Sequence, residues 1–342
     1  MRAFITGVAG PALTGEEWQF LKDAEPWGLI VFKRNVAEPD RLRQLIDDFR
    51  TAVGRQAPVL IDQEGGRVQR LGPPHWPSYP PGCAYGALYE LDRETGLAAA
   101  RLGAQLIAAD LAALGIDVDC APIADVPVAG ADPIIGDRAY GSAPDRVAAI
   151  AGAIAAGLLE GGVLPVLKHI PGHGRATADS HQRLPVVSAD RPTLEATDFA
   201  AFRPLKALPL GMTAHVVFTA IDPVAPATTS ATIVGDVIRD SIGFSGLLMS
   251  DDISMGALSG SLGERTKAAI AAGCDMVLHC NGKMAEMLAV AAATPQLAGD
   301  AARRATAALA LRQPAAPIDV AARRAEFFKL MAGSWQSAPG SA

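Results

Sequence analysis

Short apolar runs recur along the chain, each bounded by polar residues, prolines or glycines. They fall at residues 3–7, 28–32, 59–62, 116–120, 164–168, 211–215, 247–251 and 275–279. Runs of this length between turn formers fit strands buried on both faces. Between them lie segments whose apolar positions recur at helical spacing: 39–53, 96–114, 145–160, 195–208, 230–241, 261–272 and 283–293. Several open with an N-cap type of residue and close near a glycine. Strand and helix alternating in this way predict an α/β protein with a single (β/α)8 TIM-type barrel. A doubly wound sheet competes, but no Gly-x-Gly-x-x-Gly turn follows the first strand. The pattern assigns residues 1–310 to the barrel and 311–336 to a C-terminal helical extension packed on it. The Ser/Ala/Pro/Gly tail at 337–342 is expected to be disordered.

Composition narrows the function classes. Half of the 342 residues are hydrophobic and 19% are charged, which suits a large core and argues against disorder. A net charge of -6 speaks against a nucleic-acid surface, since phosphate binding needs clustered Lys and Arg. Charged residues interrupt the apolar helical stretches, so no membrane span is expected. Gly7, Gly10 and Pro11 break the first apolar run, and Glu16-Glu17 follow at once, unlike a secretory signal. Cys83, Cys120, Cys274 and Cys280 show neither C-x-x-C spacing nor the density of a disulfide scaffold. These features point to a cytoplasmic protein, and no large apolar helix face asks for a partner, so a monomer is expected.

Polar residues cluster where barrel enzymes mount their chemistry. Asp62, Asp119, Lys168, His169, His215, Asp251 and His279 stand at or just past the C-terminal ends of the proposed strands, around one mouth. Asp119 and His279 serve equally well as residues that merely cap the barrel layer. The fifth strand opens into Lys168-His169-Ile170-Pro171-Gly172-His173-Gly174, and Asp179-Ser180-His181 follows on the same loop. Ser250-Asp251-Asp252 places a carboxylate at the end of the seventh strand. A carboxylate opposite an acid/base group is the minimum apparatus for retaining glycoside hydrolysis, and His181, oriented by Asp179, can fill the second role. Asp62, Arg70, Arg138, Lys168 and His169 are suited to sugar hydroxyl and carbonyl oxygens. Arg67, after the Gly65-Gly66 turn, fits a solvated surface residue as well as a ligand. Strand alternation alone does not choose between Asp251 and Asp252.

Four segments together carry a resemblance: Asp-Gln-Glu-Gly-Gly-Arg-Val at 62–68, Lys-His-Ile-Pro-Gly-His-Gly at 168–174, Asp-Ser-His at 179–181 and Ser-Asp-Asp-Ile-Ser-Met at 250–255. In this order they resemble the β-N-acetylglucosaminidases of glycoside hydrolase family 3, of the NagZ type, over residues 1 to 310. The resemblance implies a cytoplasmic exo-hydrolase with no cofactor and no metal. Its implied substrates are 1,6-anhydro-MurNAc muropeptides from cell-wall recycling, which lose their non-reducing β-linked GlcNAc in a two-step retaining mechanism. It implies Asp251 as nucleophile, His181 as general acid/base and Asp179 as the residue orienting the imidazole. Asp62, Arg70, Arg138, Lys168 and His169 are implied to bind the sugar, Arg138 on the looser match Ile135-Gly136-Asp137-Arg138-Ala139-Tyr140-Gly141. His173 and Ser180 are implied to shape the loop. Ile170 departs from the aromatic frequent there in the family.

Alternatives remain from the residues: a phosphorylase in which phosphate attacks the glycosyl-enzyme, a metal-dependent hydrolase using His169, His173 and His181, and a catalytically silent sugar-binding barrel.

Overall fold

Each of the eight apolar runs forms a strand, and the strands close on themselves. In the computed structural model, which describes residues 1–314 and 318–335, they are β1 (Arg2–Thr6), β2 (Pro26–Val31), β3 (Val59–Ile61), β4 (Val118–Asp119), β5 (Leu164–Ile170), β6 (Leu210–Thr213), β7 (Leu247–Asp252) and β8 (Met276–His279). All neighbours pair in parallel, and β1 bonds both β2 and β8, which closes the barrel in sequence order. Register is set by burial on both faces. Leu29, Ile30 and Val31 lie beside Val59, Leu60 and Ile61, and the next pair continues with Leu60 beside Val118.

Alternation along each strand sorts the apolar side chains into two layers. Ile5, Ile30, Leu60, Val118, Val166, Met212, Met249 and Leu278 fill the barrel interior. Their neighbours Phe4, Leu29, Val31, Val59, Ile61, Leu167, Leu248 and Val277 face outward, into the larger layer between strands and helices. That outer ring includes α1 (Gly15–Ala24), α2 (Pro39–Val53), α3 (Gly82–Leu91), α4 (Arg93–Ala112), α5 (Pro144–Glu160), α6 (Arg191–Ala196), α7 (Asp198–Phe202), α8 (Leu262–Ala272), α9 (Met284–Ala293), α10 (Gly299–Ala310) and α11 (Val320–Met331). The helix after β6 spans Ile233–Ser241 with wide, π-type turns.

Two expected elements differ. The segment 195–208 is not one helix but α6, α7 and a 3-10 turn at Arg203–Leu205. Asp190 caps α6 at Thr193, and Pro204 removes a backbone donor where a continuous helix would need one. The helix expected at 96–114 starts earlier, because Asp92 accepts from the backbone N–H groups of Glu94 and Thr95. Beyond the barrel, α11 buries Phe327 against Tyr79 and Tyr85, with ring centroids 6.3 and 6.4 Å apart. The expected tail at 337–342 lies outside the described residues. Among the described residues no helix is long and apolar enough to cross a membrane.

Candidate active site

At the C-terminal ends of the strands lies a cavity of about 450 Å3, a size that suits a small ligand. Asp62, Arg70, Arg138, Lys168, His169, His181 and Asp251 line it, and Asp179 stands behind His181. The structure therefore gathers the sequence-derived candidates at one place. Asp119, His215 and His279, also expected at the mouth, point elsewhere. Asp119 holds the backbone N–H of Gln63 at 3.0 Å, and burial pushes its carboxyl well above the ordinary range. His279 bonds Glu286 at 3.0 Å. His215 places Nε2 3.0 Å from the carbonyl of Asp252, while its Nδ1 meets the Thr228 hydroxyl at 2.6 Å. It supports the chain beneath the carboxylates from below.

The floor is an ion-pair network built on two loops. After β3 the chain makes a hairpin in which Gln63 lies opposite Gln69, turning at Gly65 and Gly66. Gly65 has φ +95, and a Cβ there would stand 2.3 Å from the Pro80 carbonyl oxygen, so the turn requires glycine. The Gln63 amide oxygen accepts from the backbone of Arg70 at 2.9 Å and Leu71 at 3.0 Å, which returns Arg70 toward the strand end. There Arg70 meets Asp62 at 2.9 Å. Lys168, 2% exposed at the end of β5, lies 2.9 Å from Asp62 and 2.7 Å from Glu64. Glu64 also takes two donors from Arg138, at 2.8 and 2.9 Å. Burial alone would raise the two carboxyls. The adjoining cations outweigh it, holding Asp62 well below the usual carboxylate range and bringing Glu64 down to about 2. Burial acts against the Lys168 ammonium as well, and Asp62 and Glu64 reverse that, so it stays protonated.

From the loop after β4, Asp125 organises two histidines, His169 near the end of β5 and His173 on the loop beyond it. Fully buried, it accepts from His169 Nδ1 at 2.7 Å and from the backbone N–H of His173 at 2.6 Å. With Nδ1 engaged on Asp125, the His169 side chain also lines the cavity. Burial would raise the Asp125 carboxyl, but His169 and His173 keep it below the usual value. His173 bonds Ser180 at 3.1 Å, in keeping with a loop-shaping role. Gly174 passes so close to the chain at Val126 that a Cβ would sit 2.1 Å from its carbonyl oxygen. Farther along, Asp179 accepts from both the backbone N–H and Nδ1 of His181 at 2.8 Å. The His181 side chain is 64% exposed. Two backbone bonds fasten this loop to the one after β7: Gly256 N–H to the His181 carbonyl at 3.2 Å and Ala257 N–H to the Ser180 carbonyl at 3.1 Å.

The two adjacent aspartates that end β7 have different surroundings. Asp252 is fully engaged, accepting from Ser254 N at 3.0 Å, Ser254 Oγ at 2.6 Å and Cys280 N at 3.2 Å. Asp251 accepts from the Asp252 backbone at 2.8 Å and presents the rest of its carboxylate to the cavity. Burial would raise its pKa, but His215, His169 and Lys168 together keep it lowered, so it is anionic at neutral pH. Arg67 lines the rim but is turned onto Asp137 at 2.7 Å. No group of three His, Cys, Asp or Glu side chains among the described residues is arranged to hold a metal ion. His169, His173 and His181 each direct a ring nitrogen to a different protein partner instead.

Burial of His173 has a consequence for stability. Burial, with His169 adding to it, lowers its pKa to about 4. As pH falls below the unfolded value of about 6.5, the unfolded chain takes up a proton that the native state refuses. Stability is therefore expected to decline from about pH 6.5 down to about pH 4, by roughly 3 kcal/mol for this group. Urea unfolding across that window checks it: His173→Gln should flatten the slope, and an unchanged slope would assign it to other groups such as His215, also lowered by burial.

Residues 8–307 match the family model described as the glycosyl hydrolase family 3 N terminal domain. A β-hexosaminidase of Alkalilimnicola ehrlichii is 41% identical over 283 residues, which cover 81% of this chain and 80% of that protein. One from Idiomarina loihiensis is 34% identical over 310 residues, covering 89% and 91%. Among solved structures, NagZ from Neisseria gonorrhoeae in complex with N-trifluoroacetyl-D-glucosamine superposes with a TM-score of 0.85 at 30% identity, covering 96% of this chain and 98% of that one.

Proposed function

Since the chain belongs to glycosyl hydrolase family 3 and is a glycoside hydrolase acting on N-acetylhexosaminides, we propose that it is a retaining exo-β-N-acetylglucosaminidase. It removes non-reducing β-linked GlcNAc from 1,6-anhydro-MurNAc and from its muropeptides, working in the cytoplasm as a monomer in peptidoglycan recycling. Residues 1–310 form the catalytic barrel, and beyond it α11 packs against α3 and α4. The observation that carries the mechanism is the Asp179–His181 pair, 2.8 Å apart, opening into the cavity that Asp251 lines.

In the first step a carboxylate oxygen of Asp251 attacks the anomeric carbon while His181 Nε2–H protonates the glycosidic oxygen. The C–O bond to the leaving sugar breaks, and a covalent glycosyl ester forms with inverted configuration. Water then attacks that carbon and gives its proton to Nε2, releasing Asp251 and restoring the β configuration. Asp179 bonds Nδ1, fixing the tautomer and stabilising the ring whenever it is charged. An imidazole in this role avoids a second anion beside the nucleophile. Asp62 and His169 accept hydrogen bonds from sugar hydroxyls while Lys168, Arg70 and Arg138 donate, all held in place before substrate arrives.

The test is nitrophenol release from the β-linked N-acetylglucosaminide and the matching β-glucoside, with chelator present and phosphate absent. Turnover of the first alone is expected. Turnover only on adding phosphate would make the enzyme a phosphorylase. Activity confined to the glucoside would mean that the sugar-binding residues are wrongly assigned, and none under any condition would leave a sugar-binding barrel.

A further inference from the structure

Among the described residues, one cation of the cavity wall has no acidic partner. Arg67 pairs with Asp137, Arg70 with Asp62, Arg138 with Glu64, and Lys168 with both Asp62 and Glu64. Arg34 also lines the cavity, yet among the described residues it makes no ion pair. Its guanidinium is nonetheless fixed. Nε donates to the Val8 carbonyl at 2.9 Å and Nη2 to the Cys280 carbonyl. The group lies 5.0 Å from the centre of the Phe32 ring, with Arg70 5.1 Å from the same ring. The acids that bear on it are engaged elsewhere: Asp252 with Ser254 and Cys280, and Glu17 with the backbone of Ala9 and Thr14. Among the described residues Nη1 has no protein acceptor.

Position decides which part of a ligand this charge meets. The floor is buried, as Lys168 at 2% and His169 at 6% exposure show, and holds the network assigned to the cleaved sugar. Arg34 is exposed at the rim, as is His181. The acid/base must stand beside the glycosidic oxygen, so the leaving group occupies the rim. A rigid guanidinium with donors to spare and no internal counter-charge suits a carboxylate, which can take two of its N–H groups together.

We propose that Arg34 is the anion-binding element of a leaving-group subsite that takes a carboxylate-bearing sugar. This inference rests on the N-acetylglucosaminidase reading and adds to it a residue that recognises the charge of the aglycone. The cationic wall of Arg34 and Phe32 receives the carboxylate, and the leaving sugar lies over the rim.

A matched pair of substrates tests it: GlcNAc β-linked to an anhydro-muramic acid with its lactyl carboxylate free, and the same disaccharide as the methyl ester. In the wild-type enzyme kcat/KM for the acid should exceed that for the ester by about tenfold, the scale of a charged hydrogen bond. The ratio should fall as ionic strength rises. Arg34→Gln should bring it near one, and Arg34→Lys should leave it intermediate. A wild-type ratio near one, or a full ratio retained in Arg34→Gln, overturns the proposal. If Arg34→Gln does not fold because it untethers Val8 and Cys280, Arg34→Lys decides: a ratio below the wild-type value supports the proposal and an unchanged one overturns it. Cleavage of the neutral nitrophenyl glycoside without acid preference defeats this inference alone, whereas no cleavage of any β-GlcNAc substrate defeats the reading beneath it.

Discussion

Asp251→Asn is expected to lower kcat on the nitrophenyl N-acetylglucosaminide by on the order of 10⁴ to 10⁶-fold, the scale seen when a covalent nucleophile is removed. The substitution keeps the side-chain shape and lets the amide oxygen accept the Asp252 N–H that now bonds Asp251 at 2.8 Å. The fold should survive, as circular dichroism and an unaltered unfolding midpoint at pH 7 would show. The neighbour offers an internal control. Asp252 spends its carboxylate on Ser254 and Cys280, so its replacement should disturb the loop and stability as well as rate. A folded Asp251→Asn enzyme with near-full activity would remove Asp251 as nucleophile.

The second large effect depends on the leaving group. Nitrophenolate departs without a proton, whereas a sugar alkoxide does not. His181→Ala is therefore expected to lose about 10²–10⁴-fold on a disaccharide, the range for general acid–base help, and much less in the glycosylation of a nitrophenyl substrate. Because the proposed mechanism also makes His181 the base of the second step, a burst of nitrophenol followed by slow turnover is expected, reporting a glycosyl-enzyme that accumulates. Loss of the same size on both substrates, without a burst, would make His181 a binding residue. Asp179→Asn should weaken the same steps less, since Nδ1 keeps an acceptor but loses its charge.

How much of this could be read from the chain differs by residue. The barrel was legible because every strand is a compact apolar run, and a strand buried on both faces needs no finer pattern. Asp62, Lys168, His169 and Asp251 were legible for a related reason: each ends such a run with a charge or an imidazole, which burial tolerates only with a partner or a function. The same rule overreached at Asp119, His215 and His279, which satisfy local backbone or side-chain partners under the site. Glu64 was passed over although it sits inside the Asp62–Val68 segment; nothing local shows that it turns inward to meet Arg138, 74 positions away. Asp125 was missed because its two partners, His169 and His173, come from the next strand and loop. Arg34 follows Phe32 in an unremarkable polar stretch, and only closure of the barrel, bringing β8 beside β1, delivers the Cys280 carbonyl to it.

The interlocked charges of the floor also determine where the cost of recognition falls. Asp62, Glu64, Lys168, Arg70 and Arg138 are stripped of much of their water and pinned to one another in the chain without ligand. Dehydrating and ordering them is work done once, when the polypeptide folds, against the stability of the barrel. With the proposed substrate, a sugar then exchanges its own hydration for a template that is already set, and few side chains have to be immobilised on binding. Affinity in such a site is limited chiefly by how well the sugar matches the array, and the array lasts only as long as the barrel that compresses it.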